Sequence, residues 1–515
     1  MKLVFVSARS ASFELDNDSI YQNDEPVEVK LNGNIVIEKE LCNVFSLYDL
    51  LPNTEYVVTA GNEVVTFTTD VESVTLNVVD FHAKGDAITD DTSALQAAIM
   101  CCPKDGRVLV PAGTYWTKPL FLKSDISIEL QKGAVLLGET DRQKYPILPG
   151  RISKTNDPAS EYYLGTWEGN AEDCFAGLIT GIGVSNIKIY GQGIIDGNAS
   201  NSDWWQNDII KRIAWRPRGV FFNRCSNIAV QGITCQNTAS WNQHIFFSNK
   251  VDYIDVTLLN PEENPNTDGI NPESCTDVNI IGCKFAVGDD CIAIKSGKAE
   301  MGAKLRTPCA NITVRNCFMD HGHGAVTLGS EMSAGMHNIT VTKCLFRKTD
   351  RGLRIKTQRG RGETAIIDGV TFDNIKMEGV YAPLVINMFY KARIDAPDEE
   401  YKYNHKAQPV DSSTPYLGSF TFRNMTATDV SWTAGAFWGL PEQPIGRVHI
   451  ENVTFSMKED AQPGEAVMTL NAPNYCKGGL HFYNVNEVVL KNVSLEGVSG
   501  EEYIFDNVKN VLDNN

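Results

Sequence analysis

Three aspartates stand at a spacing that could bring them to one substrate. The stretch NPNTDGINPE, residues 264–273, carries Asp268, and AVGDDCIAIKSG carries Asp289 and Asp290, the first of them 21 residues after Asp268. Glycoside hydrolysis needs a carboxylic acid to protonate the leaving oxygen and a carboxylate to attack the sugar or activate water. Neighbouring carboxylates push each other's pKa values apart, so one can keep its proton while the others are ionised. Each stretch is also ordinary turn chemistry, and only their convergence would make a site.

Histidine and basic residues follow the aspartates at similar intervals. In HGHG, His323 stands 34 residues after Asp289, and in RGLRIKT, Arg354 stands 31 residues after His323, with Lys356 close behind. The window 343–361 holds eight basic residues and one acidic residue in a chain of net charge −18. Arginine can bind a carboxylate in bidentate fashion, so the cluster suits an anionic sugar. The alternatives are a hydrogen-bonded turn histidine and a solvated basic loop.

A repeated β-type phrase shows what would position these residues. The copies are SNIAVQGITC, VDYIDVTLLN, TDVNIIGCKF, CANITVRNCF and MHNITVTKCL. Aligning their first apolar residues gives Ile228, Ile254, Val278, Ile312 and Ile339, which are 26, 24, 34 and 27 residues apart. Such periods indicate a repeat architecture, and alternation within each copy indicates strands. The pattern therefore predicts a parallel β-helix with one coil per repeat.

Cysteines recur inside the same phrase. Cys283, Cys317 and Cys344 stand five residues after their anchors, at the position where the first copy has Ile233. A thiol that replaces isoleucine indicates a small buried hydrophobic residue stacked between coils. A ladder of metal ligands is the alternative.

In a β-helix the spacing of the motifs along the chain determines how far apart they lie in space. About one coil separates Asp268 from Asp289, and neighbouring coils lie about 4.8 Å apart. Alternation in GLRIKT and DDCIAIKSG turns Arg354, Lys356, Lys295 and Asp289 to the outer surface. The next residue, Asp290, is in the inward phase. We expect the strand to bend at the preceding glycine, so that both carboxylates face outward.

Two domains are predicted. Residues 1–73 consist of short alternating segments separated by Asn-Gly and Pro-Asn turns, and LLPNTEYVVTA around Tyr56 resembles the tyrosine corner of fibronectin type III-like sandwiches. Residues 74–515 carry the repeats. One helix is predicted over 90–102, where it would cap the open end of the β-helix.

Composition excludes several classes of protein. With 42% hydrophobic and 21% charged residues the chain is globular, and its net charge of −18 argues against a nucleic-acid partner. No apolar run reaches the length of a membrane span. Thirteen cysteines without a CxxC pair indicate neither a zinc site nor a disulfide framework. We expect no metal, no cofactor, a monomer or weak oligomer, and a cytoplasmic location, or secretion if a signal peptide has been removed.

Four motifs in order resemble a known family. Asn266-Thr267-Asp268, Gly288-Asp289-Asp290, Gly322-His323-Gly324 and Arg354-Ile355-Lys356 look like the signature motifs of polygalacturonases, glycoside hydrolase family 28. The resemblance covers residues 77–515 and begins at DFHAKGDAITDDTSALQAAI. It implies an all-β protein with a right-handed parallel β-helix, preceded here by a small β-sandwich. It also implies metal-independent, inverting hydrolysis of α-1,4 bonds between galacturonates.

The resemblance also assigns roles to residues. Asp289 resembles the general acid, and Asp268 and Asp290 resemble the pair that activates water. His323 would tune the acid's protonation, and Arg354 and Lys356 would hold a galacturonate carboxylate of a pectic oligosaccharide. Further candidates for substrate binding are Asn266, Lys295, Tyr390, Trp241 and His244.

The sequence gives less information on whether cleavage would occur at the ends of the polymer or within it. The long segments 140–176 and 391–417 could close one end of the cleft, and SWNQH at 240–244 resembles the bacterial exo-acting branch, so we expect release of galacturonate from chain ends. Alternatives are an endo-acting polygalacturonase, a rhamnogalacturonan or xylogalacturonan hydrolase, a calcium-dependent pectate lyase and a non-catalytic carbohydrate-binding β-helix.

Overall fold

A single stack of parallel strands dominates the protein. The computed structural model describes residues 1–154, 157–391 and 400–514. Thirty-three strands join one continuous sheet that winds through three ladders, and every pairing within it is parallel. The parallel β-helix predicted from the repeats and the all-β, right-handed fold implied by the resemblance are confirmed.

Each coil contributes a strand to each ladder. The first ladder contains Thr75–Asn77, Arg107–Val110, Ile126–Leu130, Ser185–Gly191, Ser226–Gln231, Asn249–Ile254, Thr276–Ile281, Cys309–Arg315, Met336–Arg347, Ile366–Glu378, Tyr416–Leu417, Ser419–Val430, Ile445–Met457, Gly478–Glu496 and Tyr503–Asn514. The second contains Asp86–Asp90, Gly113–Thr117, Ala134–Gly138, Ile194–Asp196, Thr234–Gln236, Thr257–Leu259, Lys284–Ala286 and Phe318–His321, after which long strands of the first ladder extend into it. The third, here called the site ladder, contains Leu120–Phe121, Ile179–Ile182, Val220–Asn223, Gln243–Phe246, Ile270–Glu273, Ile292–Ile294, Val326–Gly329, Arg351–Lys356, Ala382–Asn387 and Thr433–Trp438.

The register of the repeats differs at one anchor. Ile228 pairs with Val251, which pairs in turn with Val278, so the predicted alignment of Ile254 with Ile228 is wrong. Ile254 pairs with Ile281 and packs outside the coil, in a buried cluster with Val44 of the N-terminal region. Ile254 is therefore apolar because it packs against the N-terminal region, and not because it faces the coil interior.

The cysteines have the predicted environment. Cys283, Cys317 and Cys344 are fully buried in the coil interior. Burial raises the pKa values of the Cys283 and Cys317 thiols well above their usual range. These thiols pack as small apolar groups and are poor nucleophiles.

Two α-helices are present in the described residues. The first, Thr92–Cys101, buries Leu95, Ala98 and Ile99 against the first coils and covers the open end, as predicted. The second, Ala299–Leu305, was not predicted and follows a strand of the site ladder. No helix in the described ranges is long and apolar enough to cross a membrane.

Short elements complete the chain. The antiparallel pairs are Ile147–Leu148 with Cys174–Phe175 and Ile152–Lys154 with Asp157–Tyr162, and the 3-10 turns are Val78–Phe81, Arg142–Lys144, Ala199–Asn201 and Glu400–Lys402.

The N-terminal region forms two antiparallel sheets. One contains Lys2–Val6, Ala11–Glu14 and Val44–Leu47, and the other contains Asn34–Cys42, Gln22–Leu31, Glu55–Ala60 and Glu63–Thr68. Phe13, Val29 and Val58 form part of the core between the sheets. The Tyr56 hydroxyl accepts a hydrogen bond from the Leu51 N–H at 2.9 Å. The fibronectin type III-like assignment and the boundary at residue 73 stay predictions.

Polar contacts fasten this region to the β-helix. Arg315 donates to Glu14 at 2.8 Å, and the Ser46 hydroxyl donates to Asp255 Oδ2 at 2.7 Å. Burial raises the pKa of Asp255 to about 6. The interface thus contains a carboxyl group that titrates near neutrality.

Candidate active site

Asp268 and Asp290 occupy equivalent positions on consecutive coils. Ile270 pairs with Ile292 in the site ladder, and each aspartate lies two residues before one of them. The Gly269 N–H donates to the Asp290 carbonyl oxygen at 3.0 Å, which fixes this register. Neighbouring coils are about 4.8 Å apart, so the spacing of the motifs does bring the aspartates together.

Asp290 faces two cations. The backbone bends at Gly288 and Asp289, and the Asp290 carboxylate accepts from Arg354 Nη1 and Lys356 Nζ, both at 2.9 Å. Burial alone would raise the pKa of Asp290, which is 1% exposed, but the charges of Lys356 and Arg354 hold it far below its usual range. The predicted bend is present, and Asp290 is ionised.

Asp268 has the opposite environment. It is 3% exposed, and burial, with the charge of Asp289 next, raises its pKa well above the usual value, although Lys295 opposes this. Asp289 is only half-buried, and its Oδ1 accepts from the Asp290 N–H at 2.9 Å. The cluster therefore combines a carboxyl group whose ionised form is favoured, Asp290, with one whose protonated form is favoured, Asp268, and it titrates as a group.

His323 lies beside the acid candidate. Its backbone N–H donates to the Asp289 carbonyl oxygen at 3.0 Å, and its ring Nδ1 lies 2.8 Å from Asp350 Oδ2. The hydrogen bond with Asp350 raises the pKa of His323, burial opposes the rise, and the charge of Asp289 adds to it. The histidine therefore stays protonated to higher pH than a free imidazole.

The other predicted binding residues fall into two groups. Lys295 Nζ lies 3.4 Å from Glu331 Oε2 and 4.8 Å from the centroid of the Trp241 ring. The Tyr390 ring centroid lies 5.6 Å from Lys356 Nζ. These residues surround the aspartates.

Asn266 and His244 form the second group, whose side chains contact other polar side chains of the protein. The Asn266 Oδ1 accepts from Arg216 Nη2 at 2.5 Å, so this side chain supports the turn that carries Asp268. His244 Nε2 and Glu273 Oε2 are 3.0 Å apart, and both side chains are fully buried. Burial lowers the pKa of His244 and raises that of Glu273 to about 8. His244 thus belongs to a buried polar pair rather than to an open cleft.

Most of the basic window 343–361 serves other contacts. Arg347 pairs with Asp320 at 2.7 Å and Arg359 with Glu442 at 2.6 Å. From this window, Arg354 and Lys356 are the cations that pair with a site aspartate.

Three residues near the site carried no sequence signal. Asp350 accepts from His323, Glu331 pairs with Lys295, and Met468 Sδ accepts from Arg354 Nη2 at 2.6 Å. Met468 belongs to the loop that joins the neighbouring strands Ile445–Met457 and Gly478–Glu496, and its carbonyl oxygen also accepts from Asn387 Nδ2 at 2.9 Å. Such contacts depend on loop folding, which periodicity does not describe.

The site is largely closed. Asp268, Asp290, Lys295, Arg354 and Lys356 are each at most 9% exposed, whereas His323 keeps 52% of its side chain exposed. The mouth of the site therefore lies near His323 and the half-buried Asp289.

Two long segments contribute to this closure. In 140–176, Trp167 stacks on Trp241 with ring centroids 5.9 Å apart, and the Gly169 carbonyl oxygen accepts from the Lys298 N–H at 2.9 Å. In 391–417, carbonyl oxygens of Tyr401 and Asn404 accept from Arg359. Residues 155–156 and 392–399 of these segments lie outside the described residues.

Comparison with known proteins identifies the family to which the chain belongs. The family model described as glycosyl hydrolases family 28 matches residues 107–400. The chain belongs to this family and is a glycoside hydrolase.

Individual relatives are named for different modes of action on polygalacturonate. A probable polygalacturonase of Vitis vinifera is 31% identical over 75% of both chains. An exo-poly-alpha-D-galacturonosidase of Dickeya chrysanthemi is 29% identical over 63% of this chain and 58% of its own. An endo-polygalacturonase of Pectobacterium parmentieri is 29% identical over 59% and 73%. The structure of the Yersinia enterocolitica family 28 exopolygalacturonase shares the fold, with 22% identity, a TM-score of 0.73 and coverage of 99% of this chain and 98% of that one.

Proposed function

We propose that the protein is an exo-acting polygalacturonase that hydrolyses α-1,4 bonds of galacturonate oligosaccharides with inversion and releases galacturonate from chain ends. The observation that carries the proposal is the aspartate cluster, in which Asp290 is held ionised by two cations while burial favours the protonated form of Asp268. Relatives named for activity on polygalacturonate support the choice of substrate.

The three aspartates have different roles in the proposed reaction. Asp289, half-buried at the mouth of the site, protonates the leaving oxygen. Asp268 and Asp290 position the attacking water, and the ionised Asp290 accepts its proton. In an inverting enzyme the acid and base are roughly 6.5–9.5 Å apart, which leaves room for that water.

Cations adjust the charge of the site. Arg354 and Lys356 keep Asp290 ionised, and their remaining donors are available to a galacturonate carboxylate. His323, protonated beside Asp289, favours departure of the acid's proton and is itself held by Asp350. The negative charge of the substrate is thus met by fixed positive groups at the reacting centre.

Closure of the site supports attack at chain ends. Asp268 and Asp290 are buried, Trp167 of the long segment 140–176 stacks on Trp241 one coil before Asp268, and the His323 side chain is exposed. Packing of this kind on one side of the aspartates favours entry of a polymer by its terminus, whereas endo attack needs a cleft that is open at both ends. Relatives named exo and endo are equally identical to this chain, so the proposal of exo attack depends on this shape.

Product analysis tests the proposal. Oligogalacturonates are digested with EDTA present, while reducing ends, ultraviolet absorbance of unsaturated products and product length are followed together. We expect reducing ends without new absorbance, monomer as the first product, and a rate lower by orders of magnitude for Asp289→Asn. Asp277→Asn is the matched control, because Asp277 is an exposed turn aspartate on a neighbouring strand.

Other outcomes would select other functions. Early oligomers of intermediate length would indicate endo attack. Chelator-sensitive release of unsaturated product would indicate a lyase, and binding without turnover would indicate a carbohydrate-binding β-helix. A wild type without effect on any galacturonide would overturn the choice of substrate.

A further inference from the structure

A cavity of about 380 Å³ lies between the N-terminal region and the outer face of the first ladder. Ala8 and residues 70–72 line one side of it, and strands of five consecutive coils, from Arg107–Val110 to Asn249–Ile254, line the other. Cavities of about 300–1,000 Å³ hold small molecules in proteins. The residues that line it are all different from those of the candidate active site, which adjoin the site ladder.

A row of outward side chains forms the floor of the cavity. Arg107, Ser127, Lys188, Ala229 and Asp252 pair in succession on the first ladder, and each of them lines the cavity. At about 4.8 Å per coil, this row is about 19 Å long. Ser127 and Ala229 are small, so the floor is recessed beside the longer side chains of the row.

Two of the cations at the cavity are compensated by the protein itself. Lys188 forms an ion pair with Asp70, and Arg107 forms ion pairs with Glu72 and Glu129. These pairs join the N-terminal region to the coils. An anionic ligand would therefore find little uncompensated positive charge at this end of the cavity.

Carboxylates outnumber cations among the other residues that line the cavity. Asp105, Asp125 and Asp252 stand against a single lysine, Lys104. Asp125 and Asp252 each accept a hydrogen bond of 2.8 Å from an asparagine amide, and both carboxylates keep further capacity to accept. The excess of negative charge disfavours a uronate and favours a ligand whose groups donate hydrogen bonds.

Tyr190 adds a hydrogen-bond donor without a partner. It is 1% exposed, and its hydroxyl makes no hydrogen bond within the described part of the chain. Burial raises the pKa of Tyr190 above its usual value, so the hydroxyl keeps its proton. A buried hydroxyl without a partner costs free energy. A ligand in the cavity, which Tyr190 lines, would supply an acceptor.

The lining thus combines acceptors, donors and apolar surface. Asp125 and Asp252 accept, Tyr190 and Lys104 donate, and Val71, which is 58% exposed, offers an apolar side. A neutral sugar matches such a lining, because each hydroxyl group both donates and accepts while the C–H faces of the ring are apolar. We propose that the cavity binds a neutral mono- or disaccharide, at a site distinct from the one that performs hydrolysis.

The bound sugar would contact the N-terminal region and the coils at once. This inference goes beyond the proposed function, since it concerns a second ligand at a second site. A ligand that binds only the folded state raises the midpoint of thermal unfolding. An excess of the sugar should therefore stabilise the protein.

Calorimetry with small probes tests the site. Glucose, galactose, arabinose and lactose are titrated as neutral sugars, and galacturonate and spermidine as charged probes, into Asp289→Asn protein with digalacturonate in excess to occupy the active site. We expect at least one neutral sugar to bind and galacturonate not to bind. Ala229→Leu fills the recess in the floor, so it should weaken binding of the sugar by about tenfold or more.

A matched control and a second variant keep the test decisive. Thr313 follows Asp252 and Asn279 in the same outward row, two coils further along and outside the lining, so Thr313→Leu should leave the affinity unchanged. Without the Asp289→Asn change, Ala229→Leu and Thr313→Leu should both retain the wild-type kcat/KM on oligogalacturonates. If Ala229→Leu does not fold, Asp252→Asn tests the same site, because it keeps the shape of the cavity and removes the charge of one acceptor.

The outcomes decide between the possible ligands. Sugar binding that is lost in Ala229→Leu and kept in Thr313→Leu would establish the site. Failure of all four sugars to bind, or binding that survives both Ala229→Leu and Asp252→Asn, would overturn it. Binding of spermidine or of galacturonate alone, abolished by Ala229→Leu, would show that the ligand is charged and that the neutral sugar is wrong. Release of galacturonate by the wild type is measured separately, so the proposed function stands or falls independently of this site.

Discussion

Substitution of Asp290 and of Asp268 by asparagine should change stability in opposite directions, although both changes should abolish hydrolysis. Asp290 bonds Arg354 and Lys356 at 2.9 Å each and is 1% exposed. Removal of its charge leaves two buried cations facing each other without an anion. Asp268 is equally buried, but burial and the charge of Asp289 disfavour its ionised form.

The magnitudes follow from these environments. Removal of one partner from a buried ion pair costs about 3–5 kcal/mol, which is the expected loss for Asp290→Asn at neutral pH. Because the folded-state pKa of Asp290 lies below its unfolded value, this contribution is present above about pH 4 and is lost as the pH falls. The folded-state pKa of Asp268 is raised, so wild-type Asp268 costs stability as the pH rises above about 4. Asp268→Asn should therefore equal or exceed the wild type at neutral pH.

Denaturant unfolding at several pH values provides the assay. We expect the midpoint of Asp290→Asn to fall well below that of the wild type at pH 7 and to approach it in acid, while the midpoint of Asp268→Asn is unchanged or higher. Asp277→Asn serves again as the exposed control. Midpoints that move in the same direction by similar amounts would refute the assignment of unequal charge states to the two aspartates.

Three further outcomes are expected. Asp350 raises the pKa of His323, so Asp350→Asn should move the alkaline limb of the kcat/KM pH profile to lower pH. A limb that does not move would show that it is not caused by deprotonation of His323. Met468 contacts Arg354 Nη2 at 2.6 Å, so Met468→Ala should raise KM more than it lowers kcat, with Met468→Leu less affected; a pure loss of kcat would contradict a positioning role. The folded-state pKa of Asp255 is raised to about 6, so the stability of the wild type should fall as the pH rises through 6. Asp255→Asn should show a smaller fall in its unfolding midpoint between pH 5 and 8, and parallel profiles of wild type and variant would contradict this.

The coils and the aspartate cluster could be predicted from the sequence because both follow the same period. Alternation placed Arg354 and Lys356 outward, and the glycine before Asp289 predicted the bend that turns Asp290 toward them. The alignment failed at Ile254 because that strand is apolar on both faces, one toward the coil interior and one toward the N-terminal sheets. Periodicity alone does not distinguish two interfaces.

The parts that could not be predicted come from segments without a period. The helix Ala299–Leu305 has seven residues, too few for a helix to be stable alone, and Met301 anchors it among Tyr163 and Phe246. Met468 reaches Arg354 from a loop more than a hundred residues further along the chain. Tertiary packing determines these contacts.

A parallel β-helix converts chain order into spatial order along its axis, and this explains the chemistry of the site. Successive coils present Arg218, Trp241, Asp268, Asp290 and Gly324 at equivalent positions. Asp268 therefore follows Trp241 on the stack, in a buried position that favours its protonated form. Asp290 precedes a glycine, where a Cβ would lie 2.9 Å from Asp290 Oδ1, and the missing side chain leaves room for the Arg354 guanidinium. The unequal acidity of two neighbouring aspartates thus arises from burial and the charge of Asp289 at Asp268, and from the cations Lys356 and Arg354 of a later coil at Asp290.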